Sequence, residues 1–216
     1  MGNIRVQSFT FNAFQENTFV VSDKKGHALV FDPGCYTRNE EQALKDYLDN
    51  NSLSLKALLN THCHIDHVLG NHFISSSYEI DLGIHEEEKA ALLRVKDYAH
   101  VYGFEGYLPS PDPTYFVADQ QDLKIGDLHM KVLHTPGHSP GHVVFYFEKE
   151  GFVINGDVLF QGSFGRTDLP GGDMDTLRRS IFETLFELPN DTLVYCGHGP
   201  HTTIGQEKKT NYILQF

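Results

Sequence analysis

Four short segments hold most of the residues that could do chemistry: Thr61-His62-Cys63-His64-Ile65-Asp66-His67, Thr135-Pro136-Gly137-His138, Asn155-Gly156-Asp157 and Cys196-Gly197-His198. Each follows an apolar run that reads as a strand, namely Ala57-Leu58-Leu59, Lys131-Val132-Leu133, Phe152-Val153-Ile154 and Leu193-Val194-Tyr195. Metal-capable side chains just past strand ends can converge from distant parts of a chain, and the adjoining glycines permit close backbone approach. In an extended stretch residues two apart face the same way, so His62 and His64 can bind one ion while Cys63 faces elsewhere. Asp66 and His67 stand where the next helix should begin, turned from the first pair and suited to a second ion. Imidazoles and carboxylates without thiolates suit Zn²⁺, Fe²⁺ or Mn²⁺, whereas a structural zinc is more often enclosed by several cysteines. Two divalent ions, zinc first among the candidates, are therefore expected. One division of the ligands gives His62, His64 and His138 to one metal and Asp66, His67 and His198 to the other. Asp157 then bridges, and water completes the open coordination that hydrolysis needs.

The elements that must position these residues are legible around them. Runs bounded by turn residues predict strands at Ile4 to Phe9, Thr18 to Ser22 and His27 to Phe31, the last closed by Asp32-Pro33-Gly34. Thr37 with Glu40 forms the pattern of a capping box, and Ala43, Leu44, Tyr47 and Leu48 continue it at helical spacing. A strand at Leu55 to Leu59, a helix from His67 to Ser75, a strand at Ile80 to Ile84 and a helix from Glu86 to Tyr98 follow, and Gly103 to Pro113 breaks the last. The second half predicts strands at Leu123 to Ile125, Leu128 to Leu133, Val143 to Phe147, Phe152 to Ile154 and Leu193 to Tyr195. A Gly126-Asp127 turn joins the first two. Gly162 to Gly172 reads as a loop, and Leu177, Ile181, Leu185 and Leu188 trace one face of an amphipathic helix.

Composition narrows the function classes. With 17 Lys and Arg against 29 Asp and Glu the formal charge is −12, and no basic run offers a surface for nucleic acid or anionic lipid. No apolar segment approaches a membrane span, and the first ten residues lack the basic-then-apolar order of a secretory signal, so a cytoplasmic location is expected. Three cysteines at wide spacing do not form a disulfide framework. No linker divides the 216 residues, and residues 1–216 are expected to form one domain.

The motifs resemble those of the metallo-β-lactamase superfamily. Its H-x-H-x-D-H signature stands intact as His62-Cys-His64-Ile-Asp66-His67, and His138, Asp157 and His198 follow in order in Thr-Pro-Gly-His, Asn-Gly-Asp and Cys-Gly-His. The resemblance implies the same ligand division and an α/β fold: a four-layer αββα sandwich of two mixed sheets flanked by helices, with the metals at one edge. Asn155-Gly-Asp157-Val-Leu-Phe, Gly162-Ser-Phe-Gly-Arg166-Thr-Asp168 and Cys196-Gly-His-Gly-Pro look most like glyoxalase II, the hydroxyacylglutathione hydrolases. Only 18 residues follow His198, so the C-terminal helical domain with which long glyoxalase II enzymes grip glutathione is not matched. The family places a basic residue toward a glutathione carboxylate where Arg166 stands. An ion pair between Arg166 and Asp168 is the competing reading.

The resemblance implies a small-molecule thioester substrate such as S-lactoylglutathione. Two metals would share a hydroxide, because bound water has a pKa of about 7. Asp66 would bind metal and orient that hydroxide, and the thiolate would leave unprotonated. Three rivals share parts of this site: a persulfide dioxygenase with one Fe²⁺ on His62, His138 and Asp157, a lactonase or β-lactamase, and a non-catalytic metal-binding module. Around the core ligands, His142 is read as supporting a ligand or as a hydrogen-bonded core residue. Cys63 and Cys196 are read as packing residues. Lys208, Lys209 and the run Glu86 to Lys89 are read as solvated faces.

Overall fold

The β-branched and apolar runs of the first half pair into a six-stranded sheet, in a computed structural model that describes residues 4–216. Its strands are β1 (Ile4–Phe11), β2 (Glu16–Asp23), β3 (His27–Phe31), β4 (Ser54–Leu59), β5 (Leu82–His85) and β6 (Tyr115–Val117), neighbours in that order. The β1–β2 and β2–β3 pairs are antiparallel and the remaining pairs parallel, so the sheet is mixed. Because β3, β4 and β5 run parallel, their carboxyl ends lie along one edge, where α/β sheets place their chemistry. Helices α1 (Arg38–Asn50), α2 (Ile65–Val68), α3 (Asn71–Tyr78) and α4 (Lys89–Tyr98) belong to the same half. Leu44 and Leu48 of α1, Ile74 of α3 and Leu92 and Val95 of α4 share a core with Val30, Leu58 and Ile84 of the strands. Each such side chain contributes about 1.5–3 kcal/mol by burial.

The second sheet has the order β14-β13-β10-β9-β8-β7. Its strands are β7 (Asp122–Ile125), β8 (Leu128–His134), β9 (Val143–Phe147), β10 (Phe152–Gly156), β13 (Leu193–Cys196) and β14 (Thr202–Thr203). The β10–β13 pair is parallel and its neighbours antiparallel. A small hairpin of β11 (Leu159–Phe160) and β12 (Ser163–Phe164) stands apart. Helices α5 (Met174–Arg179) and α6 (Ile204–Thr210) complete this half. Leu177, Ile181 and Leu185 are buried with Val144, Val153 and Val194. The chain groups into two compact units: one runs through Val117 and takes in Lys124–Leu128, and the other holds Ala118–Leu123 and His129–Phe216.

Several expected elements differ in detail: the helix expected over Glu86 to Tyr98 begins as a 3-10 turn (Glu86–Glu88), and the strand expected at Ile80 to Ile84 is Leu82–His85. The helix expected over His67 to Ser75 is two helices, α2 and α3, because the chain turns at Gly70. There the backbone N–H donates to the Pro33 carbonyl at 2.7 Å, and a β-carbon would strike the Cys35 sulfur. The loop expected from Gly162 onward begins inside the β11–β12 hairpin, whose strands are too short for an alternating pattern to register. The helix through Leu177 to Leu188 ends as a π turn (Ser180–Thr184) and a 3-10 turn (Leu185–Glu187) while keeping its apolar face inward. The capping box of α1 forms as the sequence indicates, with Thr37 Oγ1 accepting from the Glu40 amide at 3.3 Å and Glu40 accepting from the Thr37 amide at 2.8 Å.

Candidate metal centre

In the first unit the chain leaves β4 at Asn60 and reaches α2 at Ile65, so residues 60–64 cross the carboxyl edge of the sheet without regular structure. His62 and His64 flank the buried Cys63, and their rings lie 4.8 Å apart at 89°. The His62 and His67 rings are 4.2 Å apart, and His67 Nε2 lies 3.7 Å from Asp66 Oδ2. Asp32, at the end of β3, organises the crossing. It accepts from the Thr61 amide at 2.7 Å and from Thr61 Oγ1 at 2.6 Å, and its Oδ2 is 3.2 Å from His67 Nδ1. Having given its one hydrogen to Asp32, the Thr61 hydroxyl accepts from His62 Nδ1 at 3.0 Å. This chain assigns the His62 tautomer and leaves its Nε2 as the ligating atom. Asp32 holds a φ of +47°, a strained conformation for a residue with a side chain, stabilised here by the bonds it receives.

Behind His67 lies Glu16, fully buried, with Oε1 3.9 Å from His67 Nδ1. Burial pushes its carboxyl well above the ordinary range, with the neighbouring Asp32 adding to the rise and His67 opposing it. The β1–β2 turn is pinned to the same loop, since Asn12 Nδ2 donates to the carbonyls of Gly34 at 3.0 Å and Asp66 at 3.1 Å.

In the second unit Asp157 follows β10, His138 follows β8 and His198 follows β13. Asp157 Oδ2 lies 3.6 Å from His138 Nε2 and 3.5 Å from His198 Nε2, so one carboxylate oxygen faces two imidazoles. His138 Nδ1 donates to the Arg166 carbonyl at 2.8 Å, which directs its Nε2 toward Asp157. The Asp157 amide donates to His142 Nε2 at 3.1 Å, and His142 Nδ1 stands 3.3 Å from the Thr135 hydroxyl. His142 therefore supports Asp157 through its backbone. A β-carbon at Gly165 would collide with the Asp157 carbonyl, so only glycine lets the loop that carries Arg166 close over this strand end.

Both donor sets fit divalent cations by their chemistry: buried or half-buried imidazoles with assigned ligating nitrogens, together with carboxylates. Cys63 and Cys196 are buried in the hydrophobic cores of their units. Burial pushes the Cys63 thiol well above its ordinary range and the Cys196 thiol up to about 12, consistent with packing residues. Within the first unit Asp32, His62 and His67 also bring donor atoms within 4.8 Å of one another.

Several placements amend the sequence reading. The run Glu86 to Lys89 is not uniformly solvated: Glu88 is 1% exposed and its Oε2 accepts from the Cys63 amide at 2.7 Å. Lys208 is half-buried and Lys209 exposed. The Arg166 guanidinium makes a bidentate pair with Asp168, both contacts at 2.7 Å, and the guanidinium holds the Asp168 carboxyl at about 2. Asp32, Glu16, Asn12 and Glu88 escaped sequence reasoning. Of these only Asp32 carried a usable signal, as an acidic residue ending an apolar strand beside Pro-Gly.

A model of the metallo-beta-lactamase superfamily matches residues 11–198, a span that includes both donor sets. The chain belongs to that superfamily. It is 38% identical over 198 residues to "Probable metallo-hydrolase YqgX" of Bacillus subtilis, covering 91% of this chain and 90% of the relative. It is 34% identical over 215 residues to "Hydroxyacylglutathione hydrolase GloC" of Haemophilus influenzae, covering 98% of each. Among solved structures, TTHA1623 in a di-iron-bound form superposes with a TM-score of 0.84 at 33% identity, over 95% of this chain and 98% of that one. Two mixed sheets flanked by helices are thus the superfamily's fold, as the motifs implied. A metal-binding hydrolase is the activity class that membership supports. Among the described residues no helix is long and apolar enough to cross a membrane.

Proposed function

We propose that the chain is a binuclear metallohydrolase that cleaves thioesters of the hydroxyacylglutathione type, with both donor sets serving one centre. The observation that carries this reading is Asp157, whose Oδ2 stands at nearly equal distance from His138 Nε2 and His198 Nε2. A carboxylate oxygen so placed suits a bridge between two ions, whereas a single-iron triad of His62, His138 and Asp157 would leave His198 without a task. His62, His64 and His138 would hold one ion, Asp66, His67 and His198 the other, and Asp157 both. Such ions supply water acidified to a pKa of about 7 and an electrophile for a carbonyl oxygen.

The remaining work falls to the chain's own groups. Asp66, half-buried at the start of α2, would hold one ion and accept a hydrogen bond from the attacking hydroxide, which aims the hydroxide's lone pair at the thioester carbon. A thiolate needs no general acid to depart, since thiols ionise near pH 8.5. Arg166, on the loop that receives His138, is paired with Asp168, and by exchanging that partner it would bind a carboxylate of the thiol carrier. The 34% identical hydroxyacylglutathione hydrolase supports the thioester assignment.

The test is metal analysis of the purified protein, coupled to assays of S-lactoylglutathione hydrolysis and of oxygen uptake with glutathione persulfide. Two metals per chain with thioester turnover is the expected result. One iron with oxygen uptake replaces the proposal by the dioxygenase, and metal without either turnover leaves a binding module.

A further inference from the structure

The carboxyl edge of the first sheet presents three parallel strand ends in the order β3, β4, β5, and the segment bearing His62 and His64 leaves the middle one. Buried carboxylates stand on both sides of it. Asp32 follows β3 and takes the Thr61 amide and hydroxyl, while Glu88 lies three residues beyond β5 and takes the Cys63 amide. Glu86 and Glu87, in the same 3-10 turn, are exposed, so turning only Glu88 inward has a specific structural consequence.

Cys63 is the middle residue of His62-x-His64, and its amide belongs to no helix or strand. A buried backbone N–H without an acceptor is destabilising, so the conformation of this residue depends on what accepts from it. With its side chain in the core and its amide on Glu88, Cys63 is held at two points. Alternation then obliges its neighbours to project away from the core, which sets the 4.8 Å separation of the two imidazoles.

We infer that Glu88 is a positioning residue for metal binding, whose carboxylate holds Cys63 so that His62 and His64 are presented as a preformed pair. The inference rests on the proposed metal centre. Without Glu88 the Cys63 amide must seek another acceptor, the backbone of residues 62–64 relaxes, and part of the binding free energy goes into restoring the pair. Groups that orient metal ligands change metal affinity by about 10–100-fold when removed.

The experiment compares the metal-free full chain with its Glu88→Ala and Glu88→Gln variants, titrated with Zn²⁺ against a chelator and with Co²⁺ for its visible spectrum. Circular dichroism and thermal melting of the metal-free forms report folding separately. Glu88→Ala is expected to weaken the tighter Zn²⁺ site by about 10–100-fold and alter the Co²⁺ bands, and Glu88→Gln, which keeps an acceptor oxygen, to restore most of both. A folded Glu88→Ala protein with wild-type affinity and spectrum overturns the inference, as do equal losses in Ala and Gln, which would make charge rather than the hydrogen bond responsible. Should Glu88→Ala fail to fold, Glu88→Asp keeps the charge but shortens the reach by one methylene, and wild-type affinity there overturns the inference equally. Failure of the wild-type chain to bind Zn²⁺ is a different result. It removes the metal centre itself and the role of Glu88 with it.

Discussion

The donor set of the first unit comes from one six-residue stretch and is backed at His62 and His67 by carboxylates, whereas that of the second unit comes from three separated strand ends and is backed at His138 and Asp157 by neutral groups. Asp32 reaches His62 through Thr61 and stands directly beside His67, with Glu16 behind. In the second unit a backbone carbonyl orients His138, and an imidazole takes the Asp157 amide. Exposure varies within each unit: the His62 and His67 side chains are fully buried and that of Asp66 is 13% exposed, while His138 is 3% and His198 28% exposed. An anion behind an imidazole raises its basicity and stabilises the cation beyond it, and a neutral acceptor mainly fixes direction. On the proposed reading, carboxylates behind His62 and His67 would favour affinity, and the neutral partners of His138 and Asp157 would mainly fix direction.

The largest effect is expected at Asp157, the residue proposed to be shared between ions. Asp157→Ala should lower bound metal below two per chain and reduce turnover by about a thousandfold or more, read by metal analysis beside the assay. Full activity at normal metal content would remove the bridge. Next, Asp32→Ala leaves the Thr61 amide and hydroxyl without their acceptor. Zn²⁺ affinity should fall by about 10–100-fold, with a loss of about 1–3 kcal/mol in urea unfolding of the metal-free chain. His142→Ala removes only a neutral acceptor from Asp157, so its loss should stay near the lower bound, about 10-fold. A larger loss for His142→Ala than for Asp32→Ala would break the contrast between the two backings.

The smallest effect sharpens the contrast by moving away from the donors. Asp23, a buried carboxylate at the β2–β3 turn, also has its carboxyl shifted. Burial raises it, but hydrogen bonds from the His27 side chain and from the amides of Asp127, His27 and Lys25 outweigh this and hold it at about 2. A carboxyl lowered on folding stabilises the native state above its unfolded value near 3.9, and that stability is lost as pH falls toward 2. Asp23→Asn should thus cost about 1 kcal/mol at pH 7. The difference from wild type should shrink below about pH 4 in acid unfolding, with Zn²⁺ affinity unchanged.

Legibility followed range. The capping box of α1, the apolar strands and the ligand types past strand ends were readable, because each depends on neighbours within a few residues. Glu88 was misread because Glu86, Glu87, Glu88 and Lys89 look alike in a charge run, and its inward turn depends on an amide 25 residues away. Glu16 and Asn12 were silent for the same reason. The helix over residues 67–75 was read through Gly70, since the Pro33 carbonyl and Cys35 sulfur that oblige the break lie on another segment.

By itself the sequence determined which atoms can ligate, in what order they occur and which strands deliver them, since side-chain chemistry and periodicity are local properties. Only the tertiary structure decided which nitrogen of His62 is turned from Thr61, which buried carboxylates stand behind His62 and His67, and which of three consecutive glutamates is buried. Those outcomes depend on hydrogen-bond partners brought from distant strands, and a buried polar group takes whatever partner the packed chain supplies.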